Sequence, residues 1–323
     1  MKLPASRNQV ALRYTCGAMA DLWGPMRTFN SIWRAMRPGQ WSKNLLIFAG
    51  LVFDGKLLQG TFLGEVVIGF VLLCMVTSSV YLLNDLEDLE SDRKHPIKRL
   101  RPLASGEITP GQSRLSALLL IVVALFGSLL LDSGLMLVFI GYLVLQLLYV
   151  RWLRNVALID LLSITAGFVL RVLAGVVIVE VSSFSPWLYI CSALLALFLA
   201  VAKRRQELLL LADKAAEIRI AFRHYNLALL DDMLLFVMTS TFIAYLLYAA
   251  EAETIRVANT NSALITIPFV LYGLLRYLWL IHVEESLAAP DELLSMDRPL
   301  QLAIVLWAIS FLVILYVPGL VNS

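Results

Sequence analysis

The chain has 323 residues, of which 60% are apolar and only 15% charged, and its mean hydropathy is +0.81. Soluble domains are nearer half apolar and about one quarter charged, so this composition excludes an ordinary soluble domain and indicates a membrane protein with no nucleic-acid partner. The formal net charge of +2 says little, because the distribution of charge along the chain is what carries information.

The N-terminal stretch lacks the compact apolar core of a cleaved signal peptide. Residues 1–32 therefore read as a cytoplasmic extension, ahead of a single transmembrane catalytic domain over 33–323. Apolar runs of about 18 residues or more indicate membrane spans. They predict helices near 44–60, 63–84, 115–132, 134–150, 157–179, 186–202, 232–250, 262–282 and 300–319. The expected class is thus an all-α integral membrane protein with nine transmembrane helices. The first span is unusual in holding Asp54 and Lys56. With nine crossings, 22 of the 26 Lys and Arg residues fall on one side of the membrane. Cytoplasmic loops carry the Lys/Arg excess, which puts the N-terminus and these loops in the cytoplasm and the C-terminus on the opposite side. Cys16, Cys74 and Cys191 show no disulfide or metal spacing, and His95, His224 and His282 form no ligand pattern.

The second predicted span runs into NDLEDLESDRKHPIKRLRPLASG at 84–106. Asp85, Asp88 and Asp92 stand at i, i+3 and i+7, and Asn84 joins Asp88 and Asp92 at i, i+4 and i+8. Such offsets share one helix face, so a continuing helix would stack these oxygens in one column. The column repels itself unless a cation sits on it, and Mg²⁺ is usually held by one or two carboxylates together with substrate phosphates. Arg93, Lys94, Lys98, Arg99 and Arg101 follow at once. Arg grips phosphate bidentately and Lys acts as a point charge, while Pro96 and Pro102 turn this half into a loop. Acids that hold a divalent metal beside cations that hold phosphate point to chemistry on a diphosphate at the bilayer edge.

Further along, YVRWLRNVALID at 149–160 places Arg151, Arg154 and Asp160 at the end of a helical hairpin. Arg171 lies inside a predicted span, where charges are costly and have a partner or a function, and the expected partner is on another helix. Lys203, Arg204, Arg205 and Glu207 close a later span, offering either a second phosphate site or a contact for anionic lipid. The last loop contributes Asp297 and Arg298 as weaker candidates.

The pattern N84-D-x-x-D88-x-x-x-D92 followed by RPLASG at 101–106 resembles the first signature of the UbiA superfamily of intramembrane prenyltransferases. The resemblance covers roughly 33–320 and implies a UbiA-type helical bundle with cytoplasmic active-site loops. The second aspartate-rich motif of the aromatic prenyltransferases is missing, since 203–219 is basic with scattered Glu207, Asp213 and Glu217, and Asp231 and Asp232 do not recreate it. RPGQWSKN at 37–44, HPIKRLRP at 95–102, Tyr149 with Leu153 and Arg154, Asp160, GFVLRVLAG at 167–175, KRRQEL at 203–208 and DRPL at 297–300 are similar to the branch typified by decaprenyl-phosphate phosphoribosyltransferase. Arg154 stands where that branch has Lys, which keeps the charge. The resemblance implies Mg²⁺ on Asp85, Asp88 and Asp92, with Asn84 orienting a ligand or meeting the donor. It implies phosphoribosyl diphosphate as donor and a polyprenyl phosphate as acceptor. Lys43, Lys98, Arg101, Tyr149, Arg154, Asp160, Lys203 and Arg204 would bind substrate. The compartment would be a bacterial-type plasma membrane, and the sequence leaves self-association open. The alternatives are prenyl transfer from a prenyl diphosphate to an aromatic acceptor, and movement of a lipid phosphate without covalent change.

Overall fold

The computed structural model describes residues 28–181, 186–211, 220–251, 256–257, 260–284, 286–288 and 290–316. Most of the expected N-terminal extension and the scattered acids Asp213 and Glu217 lie outside them. Among the described residues the chain is almost wholly helical, apart from one two-residue antiparallel pairing of β1 (Arg256–Val257) with β2 (Thr260–Asn261). Helix α1 covers 28–35. Then follow a 3₁₀ segment at Pro38–Ile47, α2 (Phe48–Phe53), α3 (Gly60–Glu87), α4 (Leu89–Lys94), α5 (Pro110–Leu131), α6 (Ser133–Arg151), α7 (Ile159–Val179) and α8 (Pro186–Leu211). The last four are α9 (Leu227–Glu251), α10 (Ile267–His282), α11 (Pro290–Met296) and α12 (Arg298–Tyr316).

Proline marks helix starts here, opening α5, α8 and α11, where its missing N–H costs nothing. The Asp132 side chain caps α6 by accepting from the Leu135 N–H at 3.0 Å. Seven stretches, among the described residues, are long and apolar enough to cross a membrane: α3, α5, α6, α7, α12, most of α9, and Ser262–His282. Only 17% of the most apolar stretch of α5 and of α12 is buried in the protein. In water such outward apolar faces would aggregate, so lipid is their solvent.

The continuous helix expected over 44–60 is not present. That stretch is the end of the 3₁₀ segment, the six-residue α2 and a turn at Gly55 with φ +70. The reason is close packing. A Cβ on Gly175 of α7 would stand 1.7 Å from the Ile47 carbonyl oxygen, and one on Gly50 would stand 3.0 Å from the Val176 nitrogen. The segment lies backbone to backbone on α7. The span expected over 186–202 falls within α8, which continues to Leu211 and is apolar up to Ala202.

Two compact units are seen. One takes the chain up to Asn44 with Val71–Gly127, and the other takes Leu45–Phe70 with the chain from Ser128 onward. In the first, Ala35, Leu82, Leu103, Ile108 and Ala117 form a small core with Ile32, Met36 and Leu86 at its edge. Leu103 and Ile108 thereby fix the RPLASGEI loop, which turns at Gly106 with φ +82, a conformation glycine adopts freely. In the second unit, α7, α8, α9 and α10 share a core around Leu161, Phe198, Leu230 and Tyr277.

Candidate active site

The first unit contains the acidic residues expected to hold metal. Helix α3 stops at Glu87 and α4 begins at Leu89, so the expected column is interrupted at Asp88, although N–H bonds from Asp88 to Asn84 (2.9 Å) and from Asp92 to Asp88 (2.8 Å) keep the path helical. Asp85 is 3% and Asp92 2% exposed, whereas Asn84 and Asp88 are half-buried. Arg101 bridges the two buried carboxylates, with Nη1 2.5 Å from Asp92 Oδ2 and 3.2 Å from Asp85 Oδ1. Arg37 also donates to Asp85 Oδ1 while its guanidinium lies 4.8 Å over the Tyr81 ring. Arg37 was legible only as part of RPGQWSKN, and its left-handed backbone (φ 57) has no sequence signal in a non-glycine residue.

Among the described residues, no three acidic, His or Cys side chains stand together as a metal cage. A dedicated cage is unnecessary for a small hard cation that keeps substrate phosphates as ligands. Asp85 Oδ2 is buried and has no hydrogen-bond partner among the described residues, and an orphaned carboxylate oxygen of this kind fits a divalent metal.

The surrounding residues are held by ordinary local chemistry. Trp41 donates to Ser78 Oγ at 3.1 Å and buried Asn44 donates to Thr77 Oγ1 at 3.0 Å, pinning the 3₁₀ segment that carries half-buried Lys43 onto α3. His95 Nδ1 accepts the N–H groups of Ile97 (3.1 Å) and Lys98 (3.2 Å), which shapes the turn that presents Lys98. Glu107 accepts from Ser31 at 2.6 Å and pairs with Arg34, tying α1 to the loop. The Ser31 hydroxyl, and then Arg34, hold the Glu107 carboxyl below its ordinary value.

The second unit brings Tyr149, Asp160 and Arg204 together. Arg204 Nε lies 2.7 Å from Asp160 Oδ2, Nη1 2.5 Å from Glu207 and Nη2 3.3 Å from the Tyr149 hydroxyl. Asp160 is fully buried and Arg204 only 2% exposed. Arg204 is thus an anchor, while its neighbour Lys203 is exposed, and Arg154 is half-buried on the 3₁₀ turn Leu153–Asn155. Tyr225, invisible in the sequence, donates to Asp160 Oδ1 at 2.8 Å and accepts the Leu158 N–H at 2.7 Å. Burial foremost, and then Asp160, push the Tyr225 hydroxyl above its ordinary value, so it stays protonated as the donor. Arg171 finds its partner on α6, donating to the Tyr142 hydroxyl at 2.7 Å and lying over the Tyr142 and Phe168 rings. Asp297 is paired to Arg276 (2.7 Å) and accepts from the Leu300 N–H, which lowers its carboxyl from the ordinary value, while Arg298 is exposed. The same unit holds an apolar cavity of about 400 Å³ lined by Phe53, Leu195, Tyr245, Tyr248, Tyr277 and Trp307 among others.

The profile described as the UbiA prenyltransferase family matches residues 45–294. A protein of Mycolicibacterium smegmatis named decaprenyl-phosphate phosphoribosyltransferase is 32% identical, over 88% of this chain and 92% of its own. One of the same name from Corynebacterium glutamicum is 30% identical, over 91% and 89%. Among solved structures, a UbiA homolog from Archaeoglobus fulgidus bound to DMAPP and Mg²⁺ superposes with a TM-score of 0.67 at 18% identity, covering 89% of this chain and 99% of that one.

Proposed function

This chain belongs to the UbiA prenyltransferase family, and we propose that it moves a 5-phosphoribosyl group from phosphoribosyl diphosphate to a polyprenyl phosphate such as decaprenyl phosphate. The observation that carries the reading is the likeness, over some nine-tenths of the chain, to relatives named for that activity. The basic stretch at 203–205 supports it, because a prenyl diphosphate donor in the aromatic branch is served by acids there.

The protein is an integral membrane transferase. We place nine crossings in it, adding α8 and the stretch at 44–60 to the seven apolar stretches, with the N-terminus and the acidic and basic loops in the cytoplasm. Residues 33–323 would form one catalytic domain and 1–32 an extension. Asp85, Asp88 and Asp92 would hold Mg²⁺, whose chemistry is to neutralise the departing diphosphate. Lys43, Lys98, Arg101, Arg154 and Lys203 supply further positive charge for donor and acceptor phosphates, and a fixed cation stabilises charge that develops as a bond breaks. Asn84 orients the donor. Tyr149, Asp160 and Arg204 set the frame of the second basic loop. An oxygen of the acceptor phosphate attacks the anomeric carbon while the bond to diphosphate breaks, giving inversion. That oxygen is already anionic, so no strong general base is required, consistent with three histidines that form no common pattern in the sequence. The isoprenoid tail would lie against apolar walls such as those of the 400 Å³ cavity.

The test is transfer of label from radiolabelled phosphoribosyl diphosphate to a polyprenyl phosphate in detergent with Mg²⁺. Labelled lipid that disappears with EDTA is expected. Folded protein that instead consumes a prenyl diphosphate with an aromatic acceptor would replace this reading with the aromatic one.

A further inference from the structure

The link between α6 and α7 is strained at one residue. Leu158 has φ 67 and ψ −43, a region that side-chain-bearing residues avoid and that persists only where the surroundings over-determine it. Leu158 is also the N-cap of α7, and as a leucine it offers no cap of its own. Its N–H is satisfied from 67 positions away in sequence, by the Tyr225 hydroxyl at 2.7 Å. The same hydroxyl donates to Asp160 Oδ1 at 2.8 Å, and the other oxygen of Asp160 takes Arg204 Nε at 2.7 Å. The result is a relay, buried from the phenol onward, that runs from a strained backbone N–H through a phenol and a carboxylate to a guanidinium. The turn Leu153–Asn155, which carries Arg154, packs on α6, α7 and the 3₁₀ segment Ile220–His224 that leads into Tyr225.

We propose that Tyr225 is a positioning residue. Its hydroxyl holds the Leu158 turn in this positive-φ conformation and so sets where Arg154 meets a diphosphate or phosphate group. The ring of Tyr225 belongs to the core beside Phe222, so a phenylalanine would fill the same space. Only the hydroxyl would be lost, leaving the Leu158 N–H and one Asp160 oxygen without it. The inference rests on the phosphate-binding role given to Arg154 above.

The test uses the full chain in detergent, with inorganic diphosphate and Mg²⁺ as the probe. Tyr225→Phe should weaken diphosphate binding about 5- to 10-fold, the scale of one lost hydrogen bond. In turnover the loss should appear in KM for a phosphorylated substrate, with kcat changed less than about twofold. Glycine adopts positive φ freely, so adding Leu158→Gly should let the turn keep its shape without the hydroxyl and restore binding. Arg154→Gln should weaken binding by a similar factor, and combining it with Tyr225→Phe should add little. Wild-type binding by Tyr225→Phe, or no rescue by Leu158→Gly, overturns the proposal. An Arg154→Gln variant that binds normally overturns the reading of Arg154 on which it rests. If Tyr225→Phe cannot be obtained folded, the double variant carries the test: folded protein with native affinity supports the assignment, and failure of that variant too overturns it.

Discussion

Asp85 is a buried carboxylate that its neighbours compensate on one oxygen only. Removing a carboxylate from water costs several kcal/mol. Its compensation here is two arginine contacts, both on one oxygen and both from side chains that are about one quarter exposed. Partly solvated partners repay less than buried ones, and the second oxygen has no hydrogen bond among the described residues. The desolvation cost should therefore win in the free protein. Asp85→Asn, which keeps the shape and removes the charge, is expected to leave the thermal midpoint unchanged or raised while lowering turnover at least about 100-fold. Turnover within threefold of wild type would remove Asp85 from the proposed metal set. The carboxylates were legible because a local spacing places them together. Their cationic partners were only partly so: Arg101 stood within the same run, but the contact made by Arg37 spans 48 positions and leaves no local trace.

Among the elements, the least regular one is the most informative. Ten residues of 3₁₀ helix at Pro38–Ile47 exceed the usual three or four, and the run persists because Trp41, Asn44 and the glycine contact with α7 hold it from several sides. Hydropathy alone predicted one smooth helix there, since apolarity reports what surrounds a segment and not how closely another backbone approaches it. Gly175→Ala is accordingly expected to destabilise the protein by about 3 kcal/mol, the upper end of overpacking, because the added methyl meets a backbone oxygen that cannot rotate away. A detergent melting curve checks this, and an unchanged midpoint would mean that the contact can relax. Gly141, with open space where its Cβ would be, is the control position and should accept alanine at little cost.

At the scale of the whole molecule, the arrangement of charge along the chain decides orientation. Nearly all the basic residues can be placed on one side only if the stretch at 44–60 counts as a crossing, despite its broken helix. Single cysteines introduced by Lys98→Cys and Gln59→Cys, after replacement of the native ones, test this in intact cells or oriented vesicles. A membrane-impermeant thiol reagent should reach the first from the cytoplasmic face and the second from the other. Labelling of both from one face would mean that the stretch does not cross. The apolar outer faces of α5 and α12 need no such test of their environment, since exposed leucine, valine and phenylalanine at this density are soluble only in lipid.

The sequence by itself determined the class, the long apolar helices and the meeting of acids with cations after α3, because each depends on periodicity or on neighbours within a few turns. It also marked Arg171 as an intramembrane charge in need of company, and placed Asp160 only at the end of a helical hairpin. Only the tertiary structure decided who keeps that company: Tyr142 for Arg171, Arg204 and Tyr225 for Asp160, Arg276 for Asp297. Those choices join residues from 21 to 65 positions apart. They depend on which helix faces pack, and packing is set by shape and volume across the fold, which no stretch of sequence encodes locally. For the same reason Lys203 and Arg204, adjacent and alike in sequence, part ways in the fold, one to solvent and one to the interior. A helix rotates by about 100° per residue, and the position of neighbouring helices determines which of the two turns inward.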